Sequence, residues 1–237
     1  MLPDPQLAAG FIIRAQLWKS THRTRRAMRD YSDAVDKNLD YLTSSLLKMS
    51  FPRQFEKEVL AAQKEFSIDK ELIWAVMRQE SAFEPRAVSP SRAYGLMQML
   101  RPTMKETARW LRVKNFNFNR DHFNTTMNVR FGTHFLTRMI SKYKGVVPLA
   151  VASYNVGPGN LDRWLNQRDD LQDWADFQGD PDQDMWMDEL PWGETSFYVK
   201  AVMRNFLLYK IIHEQYNQLE TPPWSSAQDF YRVPRDS

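Results

Sequence analysis

Within the stretch WAVMRQESAFEPRAVSPSRAYGLMQML, residues 74–100, one carboxylate stands among apolar neighbours. Leu72, Ile73, Val76, Met77 and Phe83 recur at three- and four-residue spacing, and Glu80 occupies the next slot on that face. A carboxyl so placed loses water, which penalises its charged form and raises its pKa. A group that holds its proton near neutral pH can act as a general acid. The competing reading is an ordinary ion pair with Arg78, Arg86 or Arg92.

The other reactive residue types are less telling. Glu84 follows Glu80 by one turn, but its position before Pro85 suits a turn or a contact with Arg86. His22, His122, His134 and His213 are scattered, without the spacing of a metal site, so no metal is expected. Gly157 and Gly159 form only a GPG after a helix, which fails as a dinucleotide-binding loop. The basic run HRTRRAMR, residues 22–29, reads as a solvated helix face that could touch an anionic polymer. Trp174, Trp186 and Trp192 lie in an acidic stretch, 169–193, either as flat platforms for sugar rings or as anchors packing that stretch down.

The elements carrying these residues are helices. Periodicity predicts helices near 5–28, 31–49, 54–66, 70–83, 102–112, 125–142, 148–155, 160–167 and 195–217. Asp69 and Asn124 suit N-caps, while Pro102 and Pro148 suit first turns. The one strand candidate is VKNFNFN, residues 113–119. The expectation is an all-α chain in three parts: a helical extension over 1–51, a main domain over 52–217, and an extended tail over 218–237.

Composition narrows the class. The 237 residues are 43% hydrophobic and 13% aromatic, enough for a packed core. A net charge of +3 is too small to imply nucleic acid, and no nucleic-acid partner is expected. With no cysteine, thiolate chemistry and disulfides are excluded. No run approaches a membrane span, and the first residues show neither a basic n-region nor a long apolar run, so no signal peptide is read there.

Four short motifs then occur in order: Glu80–Ser81 closing a helix, Gly95–Gln98 as GLMQ, Tyr154–Gly157 as YNVG, and Glu194–Val199 as ETSFYV. Singly each is weak; together, over residues 52–217, they resemble the soluble lytic transglycosylase family. The resemblance implies a lysozyme-like helical fold, akin to goose-type lysozyme, that cleaves the MurNAc-β-1,4-GlcNAc bond of peptidoglycan without water and leaves 1,6-anhydro-MurNAc ends. It implies Glu80 as the single acid and base, with Tyr154 beside it as the second catalytic residue. It also implies Ser81, Ser89, Gln98, Leu100, Asn155, Glu194 and Tyr198 as substrate contacts, Ser81 helping to hold the carboxylate. No cofactor is required. The partner implied is the peptidoglycan glycan strand and the location the bacterial envelope, in the periplasm; no protein partner is indicated.

The sequence departs from the family pattern at three places. Ser196 stands where an arginine is usual, Leu100 where a methionine often lines the groove, and Arg92 where a glycine is frequent. None removes the acid. Two alternatives carry the same fold: a hydrolytic muramidase with a second acid, and an idle peptidoglycan-binding scaffold.

Overall fold

The computed structural model describes residues 5–21, 23–37, 44–168 and 186–214, and these form an all-α fold with one small hairpin. The acidic stretch up to residue 185, with Trp174, and the tail after 214 lie outside the described residues.

The helix that carries Glu80, α5 (Lys70–Ser81), is the centre of the core. Residues 71–77 are buried without interruption, so the helix is enclosed all round there and not only along one stripe. Asp69 caps it, its side chain accepting from the Glu71 N–H at 2.9 Å. The helix stops two residues earlier than periodicity suggests. Ala82 and Phe83 both turn left-handed (φ 48° and 64°), and the Ala82 N–H closes on the Arg78 carbonyl. Glu80 thereby sits in the last turn, where unpaired carbonyls disfavour a negative charge.

Around α5 pack α4 (Glu56–Phe66), α8 (Thr125–Lys142), α9 (Val147–Val156) and α11 (Gly193–Glu214). The Asn124 side chain caps α8 through the Met127 N–H, and prolines open α6 (Arg101–Trp110), α9 and α10 (Pro158–Leu165). Residues 113–119 are not a strand. Asn117 accepts from the Asn119 N–H, and Asp121 from the Asn117 N–H, winding the short α7 (Phe118–Asp121) while Phe116 and Phe118 enter a second apolar cluster with Met99, Met104 and Phe131. The actual strands are β1 (Ala93–Tyr94) and β2 (Met99–Leu100), antiparallel, pairing Ala93 with Leu100 and Tyr94 with Met99.

At the N-terminus α1 (Pro5–Ser20) and α2 (Thr24–Lys37) pack as a hairpin. The first helix ends at Ser20 and not near 28, because the Ser20 and Thr21 hydroxyls bond back to the carbonyl of Leu17. The third helix, α3 (Ser44–Ser50), leads to Phe51, which is buried in the main core against Tyr209. Arg78 bonds the Ser50 carbonyl and lies over the Phe51 ring, so this junction is knit to α5 and α11.

Candidate active site

The last turn of α5, the β1–β2 hairpin, the end of α9 and the start of α11 converge on Glu80. Its Oε1 accepts a 2.6 Å hydrogen bond from the hydroxyl of Tyr198, a residue 118 positions away and only 5% exposed. Burial raises the Glu80 pKa; the Tyr198 bond opposes this, and the nearby charge of Glu194 adds to it, for a net value of about 7. Near neutral pH the carboxyl is therefore divided between its protonated and ionised forms. Among the described residues, none of Arg78, Arg86 and Arg92 pairs with it. Arg78 points to Ser50 and Asn205, and Glu84 merely accepts from the Arg86 backbone N–H.

Tyr154, at the end of α9, donates to the Met97 carbonyl at 2.8 Å. Burial and the adjacent Glu80 charge both raise the Tyr154 pKa, keeping the phenol protonated. Tyr198 is held protonated by the same two effects. One turn before Tyr198 on the same face of α11, Glu194 is exposed. Asn155 accepts from the Thr195 hydroxyl at 2.7 Å, fastening the end of α9 to the first turn of α11. Ser196 lies in that first turn, its N–H bonded to the Trp192 carbonyl.

The hairpin bears the remaining expected contacts. The Gln98 amide nitrogen donates to the carbonyls of Ala87 and Gly95 at 3.1 and 2.8 Å, which leaves its side-chain oxygen for a ligand. Leu100 is 44% exposed on β2. Ser89 Oγ accepts from the Ala93 N–H and so braces the turn before β1. Ser81 differs from its expected place at the carboxylate or the glycan. It is buried, and its hydroxyl donates to the Leu96 and Met77 carbonyls, so it ties α5 to the hairpin. Trp186, one of the possible sugar platforms, is instead core, buried against Trp164. Trp192 is partly buried against the same core.

Asn128, on α8, belongs to none of the four motifs. Fully buried, it accepts from the Met97 N–H and donates to the Tyr94 carbonyl, both at 2.8 Å, clasping the loop between the two strands. Gly95 makes room for it: a Cβ there would lie 2.7 Å from Asn128 Cγ, and its φ is +79°. The one signal in the sequence is a polar residue at a core-facing position of a helix, Asn128 beside Val129.

The arrangement offers one acid poised near neutrality, two neutral phenols and a hairpin of fixed backbone. Residues 58–177, half of the chain, match the sequence model of the Transglycosylase SLT domain. A Haemophilus influenzae protein inferred to be a soluble lytic murein transglycosylase is 29% identical over 200 residues, covering 84% of this chain and 31% of its own length. The soluble lytic murein transglycosylase of Salmonella typhimurium is 26% identical over 164 residues, covering 69% of this chain and 24% of its own. The crystal structure of the lytic transglycosylase Slt from Pseudomonas aeruginosa, an inactive glutamate-to-glutamine mutant, superposes with a TM-score of 0.69 at 28% identity, covering 87% of this chain and 30% of that one. The chain thus spans about a third or less of the length of these relatives, and its all-α fold is the lysozyme-like one expected. It is a member of the Transglycosylase SLT domain family.

Proposed function

We propose that this chain is a peptidoglycan lytic transglycosylase whose acid and base is Glu80. The observation that carries the reading is the Glu80 carboxyl itself: buried in the last turn of α5, bonded by Tyr198, with a pKa near 7. Protonated Glu80 gives its proton to the glycosidic oxygen as the C1–O bond of the muramyl residue breaks. The substrate's N-acetyl group supports the positive charge developing at C1. Glu80, now ionised, takes the proton of the C6 hydroxyl, and that oxygen closes onto C1 to give the 1,6-anhydro ring. The proton count balances, no water is consumed, and one carboxyl serves both steps.

The supporting residues follow from this scheme. Tyr198 orients the carboxyl and stabilises its ionised form between the two steps. The Tyr154 hydroxyl, bonded to the Met97 carbonyl, lies in the electrostatic reach of Glu80 and fixes the loop beside it. Gln98, Leu100, Asn155, Glu194 and Ser89 line or brace the surface on which the glycan strand would lie. A second carboxylate, which ordinary glycosidases use as nucleophile or to activate water, is not required. A chain with this activity belongs in the bacterial cell envelope, and we place it in the periplasm. No described helix is long and apolar enough to cross a membrane.

Purified sacculi digested with wild type and Glu80→Gln, with products read by mass spectrometry, test the proposal. Anhydro-muramyl ends are expected from wild type, and at least 10²- to 10⁴-fold fewer from the variant, the usual contribution of general acid catalysis. Reducing ends would identify a hydrolase, and binding without release a scaffold.

A further inference from the structure

The α1–α2 hairpin carries a basic surface that the proposed chemistry does not use. A cleft of about 650 Å³ runs between Arg23, Arg25 and Arg26 on one side and the Ala82–Pro85 turn on the other. A second, of about 590 Å³, shares Arg25 and Arg26 and continues to Arg29 and Arg14. Arg25 and Arg26 line both clefts, which together are called the cationic trough.

The trough rests on a built scaffold. Asp30, fully buried, accepts two bonds from Arg14 at 2.6 and 2.9 Å and one from the Trp18 indole at 3.0 Å. Arg26 stacks over Trp18, 4.7 Å from the ring centre. The hairpin is fastened to the main domain through Gln54, whose amide donates to the Thr24 hydroxyl at 2.7 Å. Arg23, Arg25 and Arg29 are exposed, and among the described residues none forms an ion pair with a carboxylate. The acids nearby are Glu84, on the cleft wall, Asp33, which acts on Arg14, and the buried Asp30, which acts on Arg14 and Arg29. Positive charge is in excess.

The wall opposite these arginines is the turn that leaves α5 two residues after Glu80. Five residues span at most about 18 Å, so the trough begins within that distance of the acid. A glycan strand bearing peptides carries free carboxylates on flexible stems, and a stem of a few residues covers the same distance. Guanidinium groups bind carboxylates through paired N–H donors. We propose that this trough holds the carboxylates of peptide stems attached to the glycan near the scissile bond, making the chain selective for peptide-bearing strands over bare glycan. The inference rests on the transglycosylase reading of Glu80.

The test uses the full chain and soluble glycan oligomers, with their peptides or with the peptides removed by an amidase. The variant is Arg23→Gln/Arg25→Gln; both positions are exposed, and the Asp30 scaffold is left intact. On peptide-bearing oligomers its KM should rise roughly five- to tenfold with kcat held, the loss expected for two charge-assisted contacts at a partly solvated surface. On stripped oligomers it should match wild type. In parallel, equilibrium binding of the same oligomers to Glu80→Gln, with and without the two arginine changes, reads the trough without catalysis. If no anhydro product forms but the arginine pair still governs binding of peptide-bearing oligomers, the transglycosylase reading fails and the trough stands. Equal KM for both substrates in wild type, or an equal loss on both in the variant, overturns the proposal. Competition by inorganic polyphosphate but not by carboxylate peptides also overturns it, and assigns the trough to a phosphate polymer.

Discussion

Glu80 holds its proton near neutral pH because desolvation outweighs the hydrogen bond from Tyr198. This has a cost to folding whose sign can be worked out. Below the ordinary glutamate range the group is protonated in both folded and unfolded chains and contributes nothing. As pH rises from about 4.5 through about 7, the unfolded chain ionises first, and the folded state loses about 3 kcal/mol relative to it. Glu80→Gln removes that loss, so the variant should be more stable than wild type at pH 8 and no more stable at pH 4, as thermal melts at the two values will show. The same ionisation predicts that kcat/KM falls above about pH 7 as the acid loses its proton. Tyr198→Phe removes the bond that favours the ionised form. The falling limb of the pH profile should therefore move to higher pH, with kcat reduced by roughly tenfold. An unmoved limb would mean the phenol does not govern the acid.

The helices and the hairpin supply rigidity to this chemistry. The hairpin of residues 93–100 is short, and three elements hold it: Ser81 from α5, Asn128 from α8 and Tyr154 from α9. Asn128 is the most committed of these, since its bonds satisfy a buried N–H and a carbonyl that would otherwise be orphaned. Asn128→Ala should cost about 2–3 kcal/mol in denaturant unfolding, and the loosened loop should raise KM. Gly95→Ala should fail in the same direction, by about 2 kcal/mol or more, because a Cβ meets the Asn128 side chain in a left-handed backbone. Full stability in the alanine variant at 95 would show that the loop can relax away from α8. The caps at Asp69 and Asn124 and the first-turn prolines were readable from local spacing, and they lie where expected. The hairpin was not readable: strands of two residues carry no periodicity, and this pair exists because Asn128 and Ser81 pin its backbone.

Across the molecule, the long helix α11 closes the fold by running antiparallel alongside α5. Its start supplies Tyr198 to Glu80, and further along the buried Lys210 reaches Asp69, the cap of α5, at 2.7 Å. Burial pushes the Asp69 carboxyl up, but the bonds from the Glu71 N–H and Lys210 outweigh it and hold the pKa below the usual carboxylate value. Such a depressed acid stabilises the fold above its unfolded pKa and loses that contribution as pH falls through its folded pKa. Lys210→Met should thus cost about 3 kcal/mol at neutral pH, with the deficit shrinking in acid, below about pH 4. A deficit independent of pH would point to packing of the lysine stem instead of its charge. The N-terminal helices join the same body through Phe51, Arg78 and Tyr209, which explains why Met28 and Phe51 belong to the main core.

The sequence by itself determined that this is an all-α chain, where most helices begin, and that a carboxyl would be desolvated at residue 80. These are local properties, set by periodicities of three and four residues, by caps and by the turn chemistry of glycine and proline. Only the tertiary structure decided which phenol meets Glu80, that Ser81 faces the hairpin backbone, that Asn128 clasps the loop, that Trp186 is core, and that the basic run faces the turn beyond the acid. Each of those depends on two segments far apart in the chain arriving at one place. Such meetings are set by how whole helices pack, and side-chain spacing within one helix carries no record of them.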